Sequence, residues 1–231
     1  MNSMTRLTLA QQSNFLPLTV WGYDLWRKRS LSLLTGEKFP LERELGQFLD
    51  WVKPVKGQHW LDVGTSTGNY ARVLVHAGAT VTALDLSAGF LQGLPRHPRL
   101  HPHQGNMEDG LFGSAAFHGV VVAGTLNETH SAERMLDQAV QALKADGLLY
   151  LMYLLPPRKS FGKLEQFIGL KAGVRFLQQM TTRKYLQTQS LTLINESQHG
   201  IVSFELYRKS AAPKENAVPQ KSVVSQRAVG H

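Results

Sequence analysis

The chain has 231 residues, contains no cysteine and carries a formal net charge of +8 at pH 7. This length suits one α/β domain with a substantial core and appended segments, and the lack of cysteine excludes disulfides and thiolate metal sites. No apolar stretch is long enough to cross a bilayer, and Gln11 and Gln12 interrupt any basic-then-apolar leader. We therefore expect a cytoplasmic protein.

The excess of positive charge has two interpretations. It is either a solvated basic surface or a means of attracting an anionic partner, RNA or an acidic membrane face. The basic residues are scattered, apart from the small cluster at Arg27, Lys28 and Arg29. No basic stretch is interleaved with aromatic residues in the manner of a single-strand binding surface. Charge alone does not decide between the two.

The first segment, residues 1–56, mixes aromatic and basic side chains, and we expect it to form a helical lid. Within it, residues 42–52 place apolar side chains at helical spacing, which predicts an amphipathic helix. Pro54 follows at a position where a helix cannot easily continue.

Residues 57–209 alternate between strand and helix patterns and are predicted to form the main domain. The predicted strands are His59–Val63, Thr80–Leu84, Arg99–His103, Phe117–Ala123 and Leu148–Leu155. The central ones are continuous apolar runs, which is typical of parallel strands covered on both faces. Tyr70–His76 and Ser131–Ala145 are predicted helices. Repeated βα units imply right-handed crossovers in a doubly wound sheet.

The end of this domain has a different pattern. Phe161–Met180 is predicted to be helical, and two apolar runs follow at residues 191–194 and 201–206. The connection between the two runs is too short for a parallel crossover, so they should pair antiparallel. We therefore predict a Rossmann-like α/β fold with a seven-stranded sheet, mostly parallel and ending in an antiparallel hairpin. Residues 210–231 lack apolar periodicity and are predicted to be a disordered tail.

The most specific motif is a glycine-bearing turn after the first strand. Residues 62–68 read Asp-Val-Gly-Thr-Ser-Thr-Gly, and the second strand ends in Asp85. Gly64 and Gly68 let the backbone turn sharply and approach a ligand, while Asp85 is placed to accept hydrogen bonds from two ribose hydroxyls. A nucleoside-binding βαβ unit is therefore predicted. The dinucleotide pattern GxGxxG fails, because Ser66 and Asn69 stand where it needs glycine.

The pattern acid-x-Gly-x-x-x-Gly, with Asp62 as its acid, resembles motif I of class I S-adenosylmethionine-dependent methyltransferases. Ser66 replaces the central glycine of that motif, a departure that is tolerable if residue 66 has a negative φ. A parallel sheet finished by an antiparallel hairpin is also the arrangement known in this class. The resemblance implies S-adenosylmethionine as the cofactor, held by Asp62, Gly64, Thr65, Ser66, Gly68 and Asp85.

Further segments resemble the methyltransferase group that includes ubiquinone- and menaquinone-biosynthesis enzymes. Tyr23-Asp24 matches a pair that covers the cofactor in that group, Asp85-Leu86-Ser87 matches a triplet after the second strand, and residues 104–108 match a Gly-Asp-Ala-Glu segment. The resemblance places Asn106 at the adenine edge and Met107 on the adenine face. It adds Tyr23, Leu86, Asn106, Met107, Glu108 and Gly124 to the predicted cofactor site. Helix capping by Asp85, a plain turn at Asn106 and core packing of Tyr23 are the alternatives.

A methyltransferase needs little acid–base catalysis from its side chains, because the sulfonium is already a strong electrophile. A base is needed only when the acceptor has a proton to lose. Residues 124–130 follow the fourth strand at the ligand-binding edge of the sheet, so Glu128 and His130 are the candidate catalytic bases. A helix-capping acid and a surface histidine are the alternatives. His101 and His103 have no third ligand at a suitable spacing, so we expect no metal site.

We therefore expect a methyltransferase that acts on a small, lipophilic or aromatic, quinone-like acceptor, with peripheral contact to an anionic membrane. An RNA methyltransferase is one alternative, against which the scattered charge argues. A catalytically inactive binding module is another, which Ser66 and Asn106 keep open.

Overall fold

A computed structural model describes residues 8–13, 15, 29–157 and 173–211. One sheet lies at its centre, with strands β1 (His59–Val63), β2 (Thr80–Asp85), β3 (Leu100–Gln104), β4 (Phe117–Ala123), β5 (Leu143–Leu154), β6 (Leu191–His199) and β7 (Val202–Lys209). The strand order is β3-β2-β1-β4-β5-β7-β6. β1 to β5 are parallel, and β7 runs antiparallel between β5 and β6. The predicted fold class is confirmed.

Helices cover both faces of this sheet. They are α1 (Leu9–Ser13), α2 (residues 29–35), α3 (Leu41–Val52), α4 (Asn69–His76), α5 (Ala88–Gln92), α6 (Ala132–Ala142) and α7 (Gln179–Thr188). The apolar faces of α3 and α4 belong to one buried cluster, and those of α6 and α7 to the cluster on the opposite face. The chain moves outward from β1 through β2 to β3, then crosses to β4 on the other side of β1. This reversal opens a crevice between the carboxyl ends of β1 and β4.

Helix α3 is part of the core of the sheet domain. Phe48 of α3 is fully buried, and its ring meets the rings of Tyr70 and Tyr150 edge-on at centroid distances of 4.9 and 4.8 Å. Aromatic pairs in this geometry add stabilisation beyond the area they bury. The domain boundary between residues 56 and 57 stays a prediction, but the helix at residues 41–52 packs against the sheet as part of its core. Among the described residues, no helix is both long and apolar enough to span a membrane.

The structure corrects the predicted helix at Ser131–Ala145. α6 ends at Ala142, because the backbone of Leu143 is extended (φ −74°, ψ 136°) and pairs with Phe117 as the first residue of β5. β5 therefore begins at Leu143 rather than at Leu148. The buried position of Leu143 explains the change: its side chain fills the core at the start of the strand.

The predicted helix at Phe161–Met180 is only partly testable, since residues 158–172 lie outside the described residues. The described part before α7, residues 173–178, is not helical. α7 begins at Gln179 and was not predicted as a separate helix. Its sequence is mostly polar, and only Thr182 and Leu186 of this helix are buried, so its apolar periodicity is weak. Most of the predicted tail, residues 212–231, also lies outside the described residues.

Gly119 of β4 provides a test of how tightly this core is packed. A Cβ at this position would overlap the fully buried ring of Trp60. Gly119→Ala should lower the free energy of unfolding by about 1–3 kcal/mol, because neither the strand nor the ring has room to shift. Gly113→Ala is the matched control, since its added methyl meets no described atom within 4 Å. Urea unfolding monitored by circular dichroism compares them; equal stabilities would contradict this packing.

Candidate functional site

A cavity lies at the crevice between the carboxyl ends of β1 and β4. Each of the first four strands contributes residues at or just beyond its end, and two helices close the sides. The lining residues are Val63, Gly64, Ser66, Leu84, Asp85, Leu86, Gly105, Asn106, Met107, Ala123, Thr125, Glu128, Gln11 of α1 and Met135 of α6. The structure thus brings together predicted site residues that follow four different strands.

The glycine-bearing turn is fixed by backbone hydrogen bonds to the next strand. The N–H groups of Gly64 and Thr65 both donate to the carbonyl of Leu84, at 2.8 and 3.0 Å. Gly64 has a φ of +69°, and a Cβ there would overlap the hydroxyl of Thr125. That hydroxyl donates to the carbonyl of Val63 at 3.1 Å. Gly64 is therefore required by the close packing of Thr125 as well as by its backbone conformation.

Ser66 adopts a left-handed backbone conformation with a φ of +48°, so the condition of a negative φ is not met. A left-handed residue with a side chain costs about 1–2 kcal/mol. Here the conformation points the Ser66 N–H at Asp85, whose Oδ2 accepts it at 2.9 Å. This charge-assisted hydrogen bond offsets the strain and explains how serine occupies the place of the motif's central glycine.

Asp85 lies at the end of β2 with 6% of its surface exposed. Its Oδ1 accepts the N–H of Ser87 at 2.8 Å, and its Oδ2 accepts that of Ser66. Burial raises the pKa of this carboxyl, while the backbone donors act in the opposite direction. Each carboxylate oxygen has more than one acceptor position, so both can still bind a ligand hydroxyl. The ribose role of Asp85 stays a prediction that this geometry allows.

Asp62, Thr65 and Gly68 lie behind the turn rather than on the cavity wall. Oδ2 of the fully buried Asp62 accepts the hydroxyl of Thr65 at 2.7 Å and the N–H of Ala71 at 3.2 Å. Gly68, with a φ of +79°, precedes the first residue of α4. Burial raises the pKa of Asp62 to about 6. These three residues shape the loop, and their predicted part in holding the cofactor stays a prediction.

In the segment after β3, two residues line the cavity and a third supports the start of α6. Asn106 and Met107 line the cavity, and Asn106 Oδ1 accepts the N–H of Glu108 at 3.1 Å, capping a 3₁₀ turn at Met107–Asp109. Glu108 is buried behind them, and its Oε1 accepts the N–H of Ser131 at 3.0 Å, where α6 begins. A carboxylate at this end of a helix is favourable. Glu108 therefore supports α6 instead of facing the cavity.

The two candidate bases are placed differently. Glu128 lines the cavity, whereas His130 is not among the lining residues. Nε2 of His130 is buried and has no hydrogen-bond partner among the described residues. Gly124, with a φ of +84°, starts the 3₁₀ turn at Thr125–Asn127, and its predicted place in the cofactor site stays a prediction.

Two further predictions are that Tyr23 covers the cofactor and that the protein has no metal site. Tyr23 lies outside the described residues. Within residues 8–13, 15, 29–157 and 173–211, no group of three or more His, Asp or Glu side chains is arranged to hold a metal ion.

Sequence reasoning missed several residues of the cavity wall. Thr125 and Met135 follow β4 and could have been found by extending the site along the chain from Gly124. Gln11 carries no motif, because it belongs to a short helix that reaches the site only through tertiary contacts.

The raised pKa of Asp62 predicts a pH dependence of stability. The native state holds this proton more tightly than the unfolded chain, so the stabilisation it gives is lost as pH rises from about 4 through 6. Asp62→Asn has no such loss. Its stability relative to the wild type should therefore increase by about 2 kcal/mol between pH 4.5 and 7.5. Urea unfolding at both pH values measures this, with the exposed Asp50→Asn as control; a pH-independent difference for Asp62→Asn would refute it.

Known proteins share this architecture. Residues 61–151 match a family model described as a methyltransferase domain. Over 102 residues the chain is 30% identical to a demethylmenaquinone methyltransferase of Renibacterium salmoninarum, a match that covers 44% of this chain and 43% of that protein. The chain thus spans less than half the length of this curated relative.

Solved structures resemble the chain over a larger share of its length. An S-adenosylmethionine-dependent methyltransferase of Mesorhizobium loti has a TM-score of 0.64 at 14% identity, covering 73% of this chain and 98% of that one. The YcgJ protein of Bacillus subtilis has a TM-score of 0.62 at 11% identity, covering 74% and 100%. At these identities the likeness concerns the fold. Residues 61–151 therefore match a methyltransferase domain, and the chain has the fold of S-adenosylmethionine-dependent methyltransferases.

Proposed function

We propose that this chain transfers a methyl group from S-adenosylmethionine to a small, lipophilic acceptor. The observation that carries the proposal is the convergence of the glycine turn, the Asp85 carboxylate and the apolar side chains of Leu86 and Met107 on one cavity. These are the groups that a nucleoside with a hydroxylated sugar and a flat base needs. When bound, the cofactor supplies the electrophilic methyl group, and the protein orients it and excludes water.

The roles of the cofactor-side residues follow from their hydrogen bonds. Asp85 would accept the two ribose hydroxyls, because each carboxylate oxygen has more than one acceptor position. Leu86 and Met107 would contact the two faces of the adenine. Since Asn106 Oδ1 already accepts the N–H of Glu108, its Nδ2 is the atom left to donate to a ring nitrogen. In this way Asn106 would recognise the adenine edge without the carboxylate of related motifs.

The acceptor would lie on the β4 side of the cavity. Ala123 and Met135 give this side an apolar wall, and Glu128 is the ionisable side chain we assign as the base for an acceptor that loses a proton. The name of the demethylmenaquinone methyltransferase relative supports a quinone-like ring as the acceptor class. Peripheral membrane contact is supported by the charge of +8 and by two exposed apolar residues near the N-terminus, Leu9 (59%) and Phe15 (46%).

Substitution of Asp85 tests the cofactor assignment. Asp85→Ala removes two charge-assisted hydrogen bonds and the anchor of the glycine turn, so it should weaken S-adenosylmethionine binding at least about 100-fold. Asp85→Asn keeps one acceptor oxygen and should give an intermediate loss. Isothermal titration calorimetry measures both, with Asp50→Ala on the exposed face of α3 as control. Near-normal affinity of Asp85→Ala would refute the ribose role, and an absence of binding to the wild type would leave an inactive module.

Substitution of Glu128 tests the assignment of the base. With an acceptor that must lose a proton, Glu128→Gln should lower kcat about 100-fold and leave cofactor affinity unchanged. His130→Gln is the matched control and should change kcat little, because His130 does not line the cavity. The acceptor is first identified by incubating the protein and methyl-labelled cofactor with lipid extract, small metabolites or RNA in separate reactions, and measuring which fraction takes up the label. Label in the RNA fraction alone would refute a lipophilic acceptor, and equal rates of the two variants would refute the role of Glu128.

A further inference from the structure

Helix α1 closes one side of the cavity, and Gln11 is its contribution to the wall. Gln11 is only 3% exposed although it belongs to a helix of five residues near the N-terminus. α1 is fixed to the loop after β4 by the Thr8 hydroxyl, which donates to the carbonyl of Glu128 at 2.8 Å. The position of Gln11 at the cavity therefore depends on an anchor at the candidate base.

The hydrogen bonds of Gln11 leave one of its polar atoms for a ligand. Its Oε1 accepts the N–H of Thr8 at 3.0 Å, and its own N–H donates to the Thr8 hydroxyl at 3.1 Å. The first bond holds the side-chain oxygen of Gln11, and the second holds the backbone at the start of α1. Among the described residues, no protein atom accepts a hydrogen bond from Nε2. Nε2 therefore keeps its donors for a molecule that occupies the cavity.

The strand order indicates which part of the cofactor Gln11 meets. The proposed adenine and ribose contacts follow β3 and β2, on one side of β1. The amino-acid end of the cofactor then extends past the β1 turn toward β4, the side on which Thr8 anchors α1. This end carries a carboxylate, whose oxygens accept hydrogen bonds and donate none.

We propose that Nε2 of Gln11 donates to the carboxylate of the methionine portion of the cofactor, which makes α1 a part of the cofactor site. Thr8 is a positioning residue: it holds the amide oxygen of Gln11 so that the amide nitrogen faces the cavity. The inference rests on the proposed function and assigns to that site a residue that its sequence motifs do not contain.

Two ligands that differ only at the amino-acid end test this assignment. S-Adenosylhomocysteine carries that end, whereas 5′-methylthioadenosine has the same nucleoside and thioether without it. Gln11→Ala should lower the affinity for S-adenosylhomocysteine about tenfold, because one hydrogen bond to a charged group is lost. The affinity for 5′-methylthioadenosine should be unchanged. Gln11→Glu should weaken S-adenosylhomocysteine at least as much, since it keeps an acceptor for Thr8 but places negative charge beside the carboxylate. Calorimetric titrations of both ligands against the wild type and the two variants give the six affinities that are compared.

Two more variants separate a contact from a structural effect. Thr8→Val keeps the shape of Thr8 and its backbone N–H to Gln11 Oε1, but it removes the hydroxyl that anchors α1 to the carbonyl of Glu128. It should therefore reproduce the selective loss of S-adenosylhomocysteine affinity. Gln12→Ala, at the exposed next position of α1, should change the affinity for neither ligand. Equal losses for both ligands, or no loss in Gln11→Ala, would overturn the assignment while leaving the proposed function intact. Failure of the wild type to bind either ligand would refute the proposed function itself.

Discussion

The candidate site depends on the hydrogen bond from the Ser66 N–H to the Asp85 carboxylate. This bond joins the turn after β1 to the end of β2, and it holds Ser66 in a conformation that a side chain disfavours. The same carboxylate accepts the N–H of Ser87 and so fixes the start of the next loop. One side chain thus sets the positions of two backbone segments of the cavity wall before any ligand binds.

A second buried carboxylate supports the turn from behind. Asp62 accepts a hydroxyl from within the turn and the N–H of Ala71 in the first turn of α4, so the turn lies between two acids. The charge of Asp85 adds to burial in raising the pKa of Asp62. Keeping both carboxyls charged near neutral pH lowers the stability of the fold. The same two carboxyls hold the loop in one conformation before a ligand binds. This arrangement is consistent with a site selected for ligand geometry rather than for stability.

The parts of the fold that could be predicted are those determined by local pattern. β1 and β4 have their predicted bounds, because each is mostly apolar and is followed at once by a glycine with a positive φ, Gly64 or Gly124. What could not be predicted depends on partners distant in sequence. The φ of Ser66 follows from a carboxylate 19 residues away, and Gln11 reaches the cavity through a contact between Thr8 and Glu128 that spans 120 residues. Glu108 matches a motif, yet its carboxylate is used by the N-terminus of α6.

The two sides of the cavity are built differently, and this bears on where acceptor specificity resides. On the acceptor side, Asn127 binds the backbone of Leu154 in both directions and donates to the carbonyl of Arg175 at 2.6 Å. The loop after β4 therefore holds α1 through Glu128 and residues 173–178 through Asn127. The family match at residues 61–151 includes this loop and the cofactor-side residues that follow β1, β2 and β3, but neither of the two segments the loop holds. Segments outside the shared domain border the acceptor side, so a common cofactor site can serve different acceptors by changing them.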